Sequence, residues 1–133
     1  MRILPVITQL KAECAAELGT RVYPALSLEP IKALADTPAA YVYWVEEFGQ
    51  APQTIHTSQR RALRFVVQTV AQAAIASEPL EDARDAILTA LIGWQIGPTY
   101  DPTVHIKGEI IEIEGDIVWC RDIFETAQYA RSV

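Results

Sequence analysis

Residues 61–71 read RALRFVVQTVA. The odd positions, Leu63, Phe65, Val67, Thr69 and Ala71, form an apolar series, and the even positions, Ala62, Arg64, Val66, Gln68 and Val70 with Gln72 beyond, form a half-polar one. Side chains alternate across a strand with period two, whereas a helix gathers its apolar groups every three or four residues. The stretch therefore predicts a long strand whose odd face is core. An Ala-rich tail to residue 76 follows, with helical composition. On the N-terminal side lies residues 40–48, AYVYWVEEF, β-branched and aromatic enough for a second strand. Between the two, GQAPQTIHTS at 49–58 is a polar loop rich in turn residues.

Further out the period changes. Ile3, Val6, Ile7, Leu10, Cys14 and Leu18 recur at helical spacing, with Gly19 as a stop. Residues 21–26 are short and β-like, and 27–38, with Pro30, Asp36 and Pro38, form a connector. Residues 78–92 form the second helix: Pro79 suits its first turn, and Glu78, Glu81, Asp82 and Asp85 suit the dipole of its N-terminal end. Gly93 stands where a left-handed cap belongs, so that Trp94 can fold back over Leu88. A loop through Gly97, Pro98, Tyr100, Asp101 and Pro102 leads to a closing hairpin, 104–114 and 117–124, turning at Gly115-Asp116. The polar tail from 126 to 133 is expected to fray. The order is helix, short strand, two strands, helix, hairpin. It predicts one α+β domain over residues 1–133, with a mixed, mainly antiparallel sheet and two helices packed on one face.

Composition sets the limits on function. The chain has 133 residues, half of them apolar and about a fifth charged, which is the make-up of a folded domain. It has no apolar run near the roughly 20 residues that cross a bilayer, and its start, MRILPVITQL, does not have the form of a signal peptide. A soluble, intracellular protein with no membrane partner is expected. The cysteines, Cys14 and Cys120, lie in separate apolar segments and read as buried free thiols. The net charge of −6 disfavours adhesion to phosphate, although an acidic wall would let DNA slide past.

A search for chemistry yields little. There is no phosphate loop, dinucleotide fingerprint or paired-Cys motif, so no enzyme activity, metal or cofactor is expected. His56, in the polar loop, and His105, beside Lys107, read as solvated surface histidines. Glu109, Glu112, Glu114 and Asp116 read as a solvated hairpin edge; by simple alternation Glu112 and Glu114 share a face that Glu109 does not. The aromatic residues say more. Tyr41, Tyr43 and Trp44 occupy both faces of one strand, and Trp119 and its neighbours do the same in another. A sheet covered by helices on one side should keep one wet face. Apolar groups on both faces call for a second cover, which either loops or helices of the chain itself or a neighbouring subunit would supply. The candidate interface positions are Tyr41, Tyr43, Trp44, His56 and Trp119, with Arg64, Gln68 and Gln72 as contact or lumen positions.

These segments, RVYPA at 21–25, YVYWVEE at 41–47, RFVVQTV at 64–70, DARDAILTALIGW at 82–94 and GEIIEIEGDIVWCRDIF at 108–124, give a chain that resembles the tail terminator, or tail completion, proteins of long-tailed bacteriophages, the minor tail protein U class. The likeness covers nearly the whole sequence. It implies a structural virion protein, assembled in the host cytoplasm, that sits as a homohexameric ring at the head-proximal end of the tail. Such a ring stops tube polymerisation and offers a head–tail joining surface. The implied partners are other copies of the chain, the tail tube protein, a head-connector or neck protein, and genomic DNA passing through the lumen without specific binding. The nearest alternative is another neck or head-closure protein; a more distant one is a small ligand-binding or hydrolytic domain with its pocket between helix and sheet.

Overall fold

The computed structural model describes residues 3–25, 38–49, 58–72, 78–114 and 117–131. The elements run α1 (Leu4–Glu13), α2 (Ala15–Leu18), β1 (Val22–Pro24), β2 (Ala39–Gly49), β3 (Ser58–Gln72), α3 (Glu78–Leu91), β4 (Val104–Glu114) and β5 (Ile117–Arg131). The expected N-terminal helix is thus two segments, because Cys14 leaves the helical region at φ −111°, ψ 24°. Pro5 stands in the first turn of α1, where no backbone donor is required. Gly19 ends α2 at φ 59°, a conformation few other residues accept.

The strands form one sheet in the order β1-β2-β3-β5-β4. Only β1 and β2 pair in parallel; β2 with β3, β3 with β5 and β5 with β4 are antiparallel. The α+β class and the mixed, mainly antiparallel sheet are as the sequence predicted. β3 lies at its centre, paired along its full length with β5 from Ser58↔Arg131 to Gln72↔Ile117.

The helices cover the odd face of β3. Val6, Leu10, Leu18, Ile87 and Leu91 from the helices meet Val42, Phe65, Val67 and Phe124 from the sheet. Phe65 and Phe124 face each other in register and stack with centroids 5.4 Å apart. The even face holds a second core: Ala39, Tyr41, Tyr43, Val66, Val70 and Trp119, flanked by Ile111, Ile117 and Ile123. Tyr41 and Trp119 approach each other across β3 with centroids 6.0 Å apart, over the strand that carries Gln68 and Val70. The even face is therefore a packed layer and not the half-polar surface its composition suggested. Neighbouring aromatic rings bury Gln68 to 2% exposure.

The tail is also ordered where fraying was expected. β5 continues to Arg131 because residues 125–131 have partners on two sides. On one side is the start of β3. On the other is the loop before β4, through the Tyr100↔Gln128 bridge and the Asp101 amide donating to Ala127 O. Thr126 adds a link of its own, its hydroxyl donating to Asp101 O at 2.7 Å. Gly93, at φ 82°, takes the left-handed cap expected of it and donates to Thr103 O, while Thr103 donates back to Trp94 O. Trp94 then packs on the helix-side core. The connector, the polar loop with His56, the Ala-rich tail of β3 and the Gly115-Asp116 turn fall outside the described residues.

Candidate interaction surface

On the helix side, Asp122 is fully buried. Arg84 of α3 reaches it with two parallel bonds, Nε to Oδ2 at 2.9 Å and Nη2 to Oδ1 at 2.7 Å, and His105 Nε2 lies 2.9 Å from Oδ1. Two charge-assisted bonds in the fork geometry of a guanidinium give this pair both strength and a fixed orientation. The Arg84 guanidinium is held charged chiefly by this hydrogen bond, which outweighs its own burial. His105 is thus a partner of a buried carboxylate, with its ring edge-on to Phe124, and not the solvated histidine expected. Gly108 makes room for the group. A Cβ there would come within 2.5 Å of both Arg84 Nη2 and Asp122 Oδ1. Gly108→Ala is expected to cost about 1–3 kcal/mol by overpacking, measured as a lowered urea midpoint.

On the other face, polar groups cross the strands in rows. Arg121 donates to Glu109 through Nε at 3.0 Å and also through Nη2, and Lys107 Nζ lies 3.3 Å from the same carboxylate. These cations, Arg121 first, hold Glu109 below the usual carboxylate range. Arg64 donates to Glu125 at 3.0 Å, and Arg60 to Asp101 at 3.2 Å. Between the rows the Tyr43 phenol is pushed up by burial, which nearby Arg121 only partly opposes. Among the described residues the Gln68 amide nitrogen finds no hydrogen-bond partner.

Of the positions predicted as interface, Tyr41, Tyr43, Gln68 and Trp119 are enclosed by the chain itself. Arg64 is half-buried and joined to Glu125, Gln72 is exposed, Trp44 is 44% exposed, and His56 lies outside the described residues. The structure brings Tyr41 and Trp119 together and leaves Trp44 apart from them. What alternation in the sequence missed is β4. Its register with β5 shifts at Ile106 and again at Ile111. The second shift sets Glu112 opposite Trp119, where uninterrupted pairing from Ile110↔Cys120 would have set Ile111. The shifts also leave Ile106, Ile110 and Ile113 exposed along this edge strand.

Cys14 and Cys120 are buried and free, as expected. Burial, then Glu17 and Glu13, pushes the Cys14 thiol up to about 11, and burial raises Cys120, so neither is poised as a thiolate nucleophile. Between helices and sheet, Val6, Leu10, Leu18, Ile87 and Leu91 pack against Val42, Phe65, Val67 and Phe124. One open depression of about 590 Å³ is lined by Gln95, Pro98, Thr99, Tyr100, Asp101 and Tyr129. Another, of about 490 Å³, runs between α1–α2 and α3 and is lined by Glu13, Glu17, Asp82 and Asp85 over Ala86 and Ala90. Among the described residues no His, Cys, Asp and Glu cluster is placed to hold a metal ion, and no helix is long and apolar enough to cross a membrane.

Residues 2–132 match the family described as phage tail terminator protein. No curated protein matches the sequence. Among solved structures, a chain from the virion of a native gene transfer agent particle shares the fold. Its TM-score is 0.69 at 24% identity, over 96% of this chain and 95% of that one.

Proposed function

The chain belongs to the phage tail terminator proteins, a structural family of the virion tail and not a family of enzymes, and from that premise we propose that it closes the tail tube as a ring of identical copies, halting tube growth and giving the head its joining surface. The observation that carries this reading is the family match over residues 2–132, nearly the whole chain. The fold is consistent with it. Among the described residues a large buried apolar cluster lies between helices and sheet, while large apolar side chains stand exposed at the rim of the sheet. A ligand binder would show the reverse, a roomy interior and a polar rim.

The ring number we propose is six, as in the resemblance. Each copy would use a heterologous contact, one patch meeting a different patch on the next, since that is how rings close. One face of the ring would complement the last ring of tube protein. The other would fail to accept more tube protein and would instead fit a head-connector or neck protein. Among the described residues, the loop at 97–102 is a segment free to differ between these faces. The net charge of −6 per copy would keep the bore weakly repulsive to DNA, so the genome passes without adhering. Gln72 and Arg64 are the lumen candidates that remain at least partly exposed.

The placement is tested by labelling. A gold-tagged antibody against the protein, applied to intact particles, is expected to decorate one position, the head-proximal end of the tail. Label on the head portal alone, with the tube end bare, would replace the terminator reading by a head-closure one.

A further inference from the structure

Among the described residues most of the large exposed apolar side chains fall into two groups, with Leu4, Ile92 and Tyr129 standing apart from both. One group lies on β4, at one edge of the sheet: Ile106 at 43%, Ile110 at 61% and Ile113 at 67% exposure. A second lies on β1 and β2, at the opposite edge: Tyr23 at 41%, Trp44 at 44% and Val45 at 44%. The strands between, β3 and β5, are buried along most of their length. Ile110 and Ile113 pair with Cys120 and Val118, and Trp44 pairs with Phe65, so these three share the helix-bearing face, whereas Tyr23 pairs with Tyr41 and lies on the other. Ile110 and Ile113 extend an internal cluster, since their register partners Cys120 and Val118 pack with Ala71 and Leu80.

We infer that these two edges are the two halves of one contact, the β4 edge of one copy packing against the β1–β2 edge of the next. The inference rests on the ring reading above and supplies its seam. A single apolar edge would suit a two-fold pair, which closes at once. Two different apolar edges on opposite sides of one sheet suit a head-to-tail contact, in which every copy both gives and receives. The edges are about 19 Å apart, from the strand spacing across the five-stranded sheet, so one chain cannot satisfy both itself. The backbone argues that side chains and not a continuous sheet make the seam. Pro24 cannot donate from β1, and the register shifts at Ile106, at Ile111 and between Trp44 and Glu46 interrupt the ladders. Such interruptions prevent open-ended strand addition while leaving the apolar groups available.

Mixing two variants tests this. Trp44→Glu spoils one edge and Ile113→Glu the other; both side chains are exposed, so each variant should fold, as circular dichroism will check. Native mass measurements at high concentration are expected to show a ring for the wild type and single chains for each variant alone. An equal mixture should give a two-chain species containing one of each, joined through the intact edges. The double variant should join neither. If the wild type forms rings and both variants do too, the seam lies elsewhere and the inference falls while the ring stands. If Trp44→Glu alone forms a two-chain species, the β4 edge pairs with itself and the head-to-tail seam is wrong. If the wild type is a single chain both in solution and in assembled particles, the ring reading fails and the seam with it.

Discussion

Replacing Arg84 by Met should destabilise the protein by about 4 kcal/mol, within the range of roughly 3–5 kcal/mol for breaking a buried ion pair by removing one partner. Asp122 has no exposure, so it cannot turn to solvent when the guanidinium is gone. Among the described residues His105 would be its remaining side-chain partner, on one oxygen only. The second oxygen would lose its bond from Nε of Arg84. Removing the acid is expected to cost less. In Asp122→Ala the stranded charge is that of Arg84, whose side chain is 29% exposed and can draw on water. The control is Arg121→Met, which breaks the half-exposed pair with Glu109 and should cost about 1 kcal/mol or less. Against a total stability on the order of 5–15 kcal/mol, the first change is large and the last barely visible. Urea unfolding gives the order directly. Equal losses for Arg84→Met and Arg121→Met would mean that the buried pair does not hold α3 to the sheet.

That pair also marks where the sequence stops being legible. The long central strand could be read because RALRFVVQTVA alternates with period two. Helix α3 could be read because its acidic first turns and Gly93 frame an apolar stripe. These are local signals. Arg84, His105, Gly108 and Asp122 come from three elements, and only the sheet order brings them together. Nothing near His105 in the sequence announces a carboxylate 17 residues on.

The tail was misjudged for a similar reason. Residues 125–131 are polar, yet they have backbone partners on both sides once the loop through Tyr100 folds against them. The interface candidates divide on the same principle. Composition showed that the sheet has two apolar faces, but it left open whether the chain itself or a neighbour covers the second. The chain covers Tyr41, Tyr43 and Trp119 itself, because aromatic rings can reach across a strand. The exposed isoleucines of β4 were hidden by two register shifts, which no alternation rule anticipates.

The largest functional effect is expected in particle assembly. A tail tube grows because each ring presents the surface its successor binds, so growth stops only where a subunit binds that surface and does not reproduce it. On the proposed function, the same subunit also presents the head with a surface the tube lacks. Losing it should therefore produce two defects together, failed termination and failed joining, while heads fill and tubes start normally. Supplying the purified protein to such particles should cap tubes of normal length but not shorten those already overgrown.

Electron microscopy of particles assembled without the protein is the most direct measurement. The expected picture is tubes of uncontrolled length beside full, tailless heads. Tails of normal length joined to heads in its absence would contradict the terminator reading. Tails of normal length left unjoined would contradict termination and leave only a joining role.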